Sequence, residues 1–177
     1  MHKGRTTALF VCATVCVAIA WVSWQWFMAT GKESAESTFQ FNCASKLRTI
    51  GQGVTLFTAD HQSHFPGTIE ELQFAYDIKP DVYICQSSND TPATGPTTQT
   101  VIADMAKGGH CSYIYAARGL TTATVTPMTV IAYEPLSHHG NGANVLFGDG
   151  HVEFLATTQF NAALATIRPT TMPADPS

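Results

Sequence analysis

Four residues near the end of the chain carry the side chains of a metal site or an acid–base pair: His139, Asp149, His151 and Glu153. His151 and Glu153 stand two apart, so on a strand both project to one side. A carboxylate and an imidazole can bind zinc, but zinc takes three or four such ligands in fixed geometry. The expectation is therefore no metal site and a head that folds without metal, with His139, His151 and Glu153 as weak metal candidates. Asp149 has a simpler use, because Asp149-Gly150 supplies the positive backbone angles of a two-residue type I′ hairpin turn. His139 is expected to tie its loop to that hairpin by a hydrogen bond. His61 and His64 should be exposed or capping carbonyls at a helix end, and His138 should face solvent.

Signals for catalysis are poor. There is no nucleophile elbow, no Cys-x-x-Cys pair, no glycine-rich phosphate loop and no His-Glu-x-x-His. The expectation is a non-enzymatic protein with no catalytic residue and no cofactor. Cys12 and Cys16 lie in an apolar run and read as small fillers. Cys43, Cys85 and Cys111 allow one bridge and one free thiol. Cys43 opens the apolar stripe of a helix and Cys85 closes a short strand-like run, so Cys43–Cys85 is the favoured bridge. Cys85–Cys111 is a second, and no bridge at all is a third.

The elements that must position these residues begin with the first sixty. No side chain from Ala8 to Thr30 is charged, and Trp21, Trp24 and Trp26 crowd the end of that run. At about 1.5 Å per residue the run is long enough for a roughly 30 Å hydrocarbon layer, with tryptophans at the interface. Lys3 and Arg5 precede it, which places the N-terminus in the cytoplasm and the rest outside. A cleaved leader is the alternative reading. Beyond the run, thirteen acidic residues face seven of the nine basic ones, a formal charge of −6. That excludes a basic nucleic-acid footprint.

Gly31 to Ser37 is a polar hinge or the wet part of one long helix. From about Thr38 to Asp60, Cys43, Leu47, Ile50, Val54 and Phe57 fall on one helical stripe, with Lys46, Arg48, Gln52 and Thr55 facing water. Gly51 lies beside the stripe, where a missing side chain lets a sheet approach. Thr68 caps a short helix to Tyr76. Asp81 to Cys85 reads as a brief strand, and Gln86 to Thr100 as a mobile loop. One or two helical turns follow over Val101 to Lys107. Four strand-like runs come next: Cys111 to Ala116, Thr124 or Met128 to Glu134, Ala143 to Phe147, and His151 to Leu155. A two-residue turn sets Phe147 opposite Val152 and Val145 opposite Phe154. These four then share the core face, with Leu146, His151 and Glu153 on the other. Thr158 caps a last helix that Pro169 stops.

His139, nine further residues and Asp149-Gly150 form the stretch His-Gly-Asn-Gly-Ala-Asn-Val-Leu-Phe-Gly-Asp-Gly. This resembles the signature of the prepilin-processing-associated, pseudopilin-like proteins of planctomycete-type bacteria, related to type II secretion pseudopilins. Asn42 to Gly51 is similar to the start of their soluble helix, and Asp60-His61 to Phe65-Pro66 to its end. Cys85-Gln86-Ser87-Ser88 is similar to their Cys-Pro-Ser segment. The likeness runs over about Asn42 to Leu155, with His139, Asp149 and Gly150 as the family motif. It adds that cysteines at positions 43 and 85 recur together. It departs at the processing site: Gly4 precedes Arg5, and the fifth residue after Gly4 is Leu9 rather than glutamate.

The resemblance implies an α+β, pilin-like fold: a long N-terminal helix, transmembrane then amphipathic, packed on a small antiparallel sheet. Its parts would be a cytoplasmic leader (1–7), a transmembrane helix (8–30), an exported head (31–168) and a disordered tail (169–177). The function it implies is structural, in the inner membrane with a periplasmic head. Partners would be other pilin-like subunits or secretion machinery. An anchored binding module that never polymerises is the alternative, and a metal-dependent envelope enzyme a weaker one.

Overall fold

The computed structural model describes residues 3–167, with side chains described at 19–26 and from residue 36 onward. Most of the expected membrane segment (8–30) and all of the expected tail (169–177) lie outside the described side chains. Among the described residues, no helix is long and apolar enough to cross a membrane.

The first element, α1, is one helix from Lys3 to Asp60, so Gly31 to Ser37 is the polar part of a long helix, the second of its two expected forms. The chain divides into two compact units, 1–38 and 39–177. In the second unit the stripe is buried as its spacing requires: Cys43, Leu47 and Ile50 are 0 % exposed, and Val54 and Phe57 nearly so. They pack against Ile131, Ala132 and Leu146 of the sheet. Gly51 is the notch in this contact. A Cβ there would lie 2.8 Å from Leu146 Cδ1. Lys46 does not simply face water; it is half-buried and donates to the Ile84 carbonyl at 2.8 Å.

After α1 the chain turns through Gln62 and Ser63, both at positive φ. Helix α2 (Ile69–Tyr76) starts on Thr68, whose hydroxyl accepts from the Glu71 amide, while Glu71 reaches back to the Gly67 amide. The segment expected as a strand before Cys85 is a 3₁₀ turn, Pro80–Tyr83. Pro80 pre-sets the first turn, and the Tyr83 carbonyl accepts a single bond from the Ser112 amide at 2.8 Å. Gln86 to Thr100, expected as a mobile loop, is organised. Ala93 is buried, and helix α3 (Thr98–Met105) begins on a Thr97–Thr100 capping box. The Asp104 carboxylate accepts from the Thr94 amide and from Lys107 at 2.9 Å each. The Thr94 amide, and after it the Lys107 ammonium, hold Asp104 down to about 2, against a weaker opposing effect of desolvation.

Four strands, β1 (Ile114–Tyr115), β2 (Val130–Tyr133), β3 (Gly142–Phe147) and β4 (Val152–Ala156), form an antiparallel sheet in chain order. Helix α4 (Thr157–Ala165) follows β4 directly, so Thr158 lies inside it rather than capping it. The fold is thus α+β, with apolar packing on both faces of the sheet. Leu146 and Val152 belong to the α1 side; Val145, Phe147 and Leu155 pack with Phe160 of α4.

The β3–β4 hairpin is one residue longer in its turn than expected. Leu146, not Phe147, pairs with Val152, and Val145 pairs with Glu153. The Gly150 amide donates to the Phe147 carbonyl, and only Gly150 in the turn takes a positive φ, +87°. This is a three-residue loop closed by a left-handed glycine, not a two-residue type I′ turn. A slip of one residue exchanges faces. Leu146 therefore meets α1, and Val145 and Phe147 turn to α4. The second buried face, supplied by α4, makes both choices apolar.

Three measurements probe this packing. Gly150→Val should lower the stability of the full chain by about 2 kcal/mol, because a β-branched residue resists the left-handed region; an unchanged melting temperature would refute the turn. Gly51→Val should destabilise by about 2 kcal/mol through overpacking against Leu146. Asp104 has an unperturbed pKa of 3.8 and a folded one near 2, so its stabilisation is present above pH 4 and lost as pH falls through 2. Acid titration of Asp104→Asn against the native chain should show the native chain losing more stability over that window.

Candidate metal centre

Where α1 enters the second unit, four buried polar side chains converge from three parts of the chain. Cys43 comes from the stripe of α1. Cys85 comes from the turn after Pro80–Tyr83, where its carbonyl accepts from the Ser88 amide and hydroxyl. Glu134 follows β2, and His139 lies in the loop between β2 and β3. Their ligand-type atoms all lie within 4.8 Å of one another, and all four residues are buried.

The distances order the cluster. Cys43 Sγ is 2.7 Å from Cys85 Sγ, and Cys85 Sγ is 3.7 Å from His139 Nε2. His139 Nε2 is 3.3 Å from Glu134 Oε2, with both side chains fully buried. Asn144 of β3 fixes the carboxylate. Its amide N–H donates to Glu134 Oε2 at 3.0 Å, and its side-chain Nδ2 donates to the same oxygen at 2.9 Å. The same Nδ2 donates to the Gln40 carbonyl of α1 at 3.0 Å. The other carboxylate oxygen, Glu134 Oε1, is buried without a hydrogen-bond partner. The ring of Phe154 meets the His139 ring edge-on, with centroids 6.1 Å apart.

The local electrostatics follow from this geometry. Burial raises the Glu134 carboxyl, but bonds from His139 and Asn144 outweigh it and hold the group below its usual range. The close approach of the Cys85 sulfur brings Cys43 down to about 6, against the opposing effect of burial, with His139 assisting. Cys85 is pushed up by the same approach. The two thiols therefore titrate as one unit, with Cys43 the more acidic member. Two thiols, an imidazole and a carboxylate in one dry pocket can do two things: bind a soft or borderline cation, or join their sulfurs.

The residues singled out from sequence fare unevenly. Cys43 and Cys85 are brought together as a pair. Cys111 is half-buried and donates to the Tyr113 carbonyl, while the Cys85 sulfur faces Cys43. His139 is at the centre, but it reaches Glu134 and Cys85 rather than the hairpin. His151 and Glu153 do not join it. His151 stacks on Phe147 and pairs with Asp149 Oδ1 at 2.5 Å, and Glu153 is exposed. Among the described residues, the four-residue cluster is the group with metal-ligand geometry, and neither His151 nor Glu153 is in it. Asp149 and Gly150 serve the turn, so the two ends of the motif bracket β3. His138 is half-buried rather than solvent-facing, and burial lowers its pKa. His61 and His64 hold carbonyls, as expected: His61 Nδ1 is 2.9 Å from the Phe57 carbonyl, and His64 Nδ1 is 3.1 Å from that of Gln62.

Sequence reasoning missed Glu134 and Asn144. One signal was present: Glu134 is a lone acid ending the apolar run Val130-Ile131-Ala132-Tyr133, just before Pro135. Asn144 likewise interrupts an apolar strand. Polar residues inside such runs demand partners.

Asn144→Ala removes both side-chain bonds and leaves a buried carboxylate under-satisfied. It should lower the unfolding free energy of the full chain by about 2–4 kcal/mol, read by urea denaturation. A change under about 0.5 kcal/mol would mean that the carboxylate is held by other groups. Compared with known proteins, the chain matches no family model, no curated protein and no solved structure.

Proposed function

We propose that this is a non-enzymatic, pilin-like structural protein of the cell envelope. It is held in the inner membrane by the first part of α1 and presents residues 39–167 as a periplasmic head. The observation that carries this reading is α1 itself. Its C-terminal turns are the central rib of an antiparallel-sheet head, while its N-terminal turns carry the uncharged run Ala8–Thr30. The large apolar side chains described in that run face outward: Trp21 is 66 % exposed and Trp24 64 %. Such a surface on one helix asks for lipid or other helices. Lys3 and Arg5 set the direction. The resemblance of His139 to Gly150 to the prepilin-processing-associated signature supports a relation to type II secretion or pilus-type assembly.

The residues around Gly4 favour one variant of this reading. With Leu9 where pseudopilins carry glutamate, the leader stays on and the protein remains a permanent anchor. It then acts as a binding module of pilin-like form rather than a filament subunit.

Both statements are tested on membranes of the native host. The protein should resist carbonate extraction, and its intact mass should retain residues 8–30. Photo-crosslinkers placed at Trp21 and Trp24 should give lipid adducts, and adducts to other pilin-like chains if it assembles. Release by carbonate, or a mature chain beginning after Thr30, would overturn the anchor. A chain beginning at Arg5 would overturn permanent anchoring and restore the filament reading.

A further inference from the structure

We propose that Cys43, Cys85, His139 and Glu134 form a mononuclear site for a divalent cation of the zinc class, which locks α1 to the β2–β3 loop. The inference concerns the head alone and does not rest on the membrane reading.

The donor set selects the ion. Two sulfurs, one imidazole nitrogen and one carboxylate oxygen suit a borderline-soft, tetrahedral ion, and do not suit calcium or magnesium, which prefer oxygen. Four is also the number that closes a structural site. The side chains come from helix, turn and loop, so one ion would join three segments distant in sequence.

The distances fit the same ion. With bonds of about 2.3 Å to sulfur and about 2.0–2.2 Å to nitrogen and oxygen, a tetrahedral site separates its ligands by about 3.4–3.8 Å. The 3.7 Å between His139 Nε2 and Cys85 Sγ is already near this, and the Glu134 carboxylate lies within 4.8 Å of the other three ligand atoms. The two sulfurs, at 2.7 Å, must open by about 1 Å. Rotation of either cysteine about its Cα–Cβ bond moves its sulfur without moving the backbone.

Glu134 points to a cation independently of the sulfurs. It is 0 % exposed, and its Oε1 has no partner. A buried carboxylate oxygen is costly to leave unpaired, and folded proteins commonly meet that need with an ion or an ordered water. Asn144 occupies Oε2 with two donors, which is how a ligating carboxylate is held in place. A disulfide between Cys43 and Cys85 would leave Oε1 without a partner.

On binding, the cation enters and takes both cysteines as thiolates: two metal–sulfur bonds form, each S–H bond still present breaks, and its proton passes to solvent. His139 binds as the neutral imidazole and Glu134 as the carboxylate. Nothing is oxidised. The competing reaction joins the two sulfurs with loss of two hydrogens to an oxidant, and it consumes half of the site.

The full chain is purified from whole lysate of the native host, with detergent, without chelator and with an alkylating agent present from lysis. Elemental analysis should give about one zinc per chain. Cys43 and Cys85 should alkylate only after chelation. Replacement with cobalt should give a thiolate-to-cobalt charge-transfer band in the near ultraviolet together with the visible bands of a tetrahedral ion. Glu134→Gln and His139→Gln should weaken cobalt binding at least tenfold while far-ultraviolet circular dichroism is retained. Should either variant fail to fold, the cobalt spectrum of the native chain still decides the matter. A metal-free chain lacking two hydrogens, with a Cys43–Cys85 peptide on non-reducing mapping, would overturn the proposal. So would a reduced chain that takes up neither cobalt nor zinc.

Discussion

The structure of the head depends on the seating of one stripe of α1 against the sheet. Leu47 and Ile50 are fully buried there, and each such side chain is worth about 1.5–3 kcal/mol. The contact is close because Gly51 offers Leu146 no side chain. Remove the seat and Ile131, Ala132 and Leu146 lose their apolar cover. Helix α2 does not replace it: Leu72 and Ile69 pack on the same core from the side, near Gly53, and rely on α1 being present.

The candidate metal centre is built into the upper end of that same seat. Cys43 belongs to the stripe, one helical turn before Leu47, and Asn144 reaches from β3 to the Gln40 carbonyl of α1. Apolar packing positions the helix, and the polar cluster sets its register along the sheet. A slide of α1 by one turn would keep much of the burial but would break the bonds of Asn144 and part Cys43 from Cys85. Burying a carboxylate and two thiols is costly, so a polar cluster here contributes specificity more than stability.

The His139 to Gly150 segment shows the same division of labour. Its nine intervening residues are the length of β3 and its approaches. His139 sits at one end, in the cluster; Asp149 and Gly150 sit at the other, in the turn. The spacing thus measures a strand, and the two conspicuous ends have separate tasks. This explains why His139 and His151, so near in sequence, never meet.

The stripe, the cap at Thr68, the close approach at Gly51 and the strand-like runs were all legible in the sequence, because each rests on local periodicity or a single backbone preference. The pairing of Cys43 with Cys85 was legible as the favoured of three choices, from the stripe and the run that carry them. The 3₁₀ turn at Pro80, the ordered course of Gln86–Thr100 and the hairpin register were not, since each depends on what lies across the fold. With α4 covering the second face, alternation no longer told inside from outside on β3. The convergence of Glu134 and His139 on two distant cysteines lay further still beyond local reading. Periodicity states which face of an element is buried. Which side chains meet there is decided by how elements remote in sequence are stacked, and only the tertiary structure contains that information.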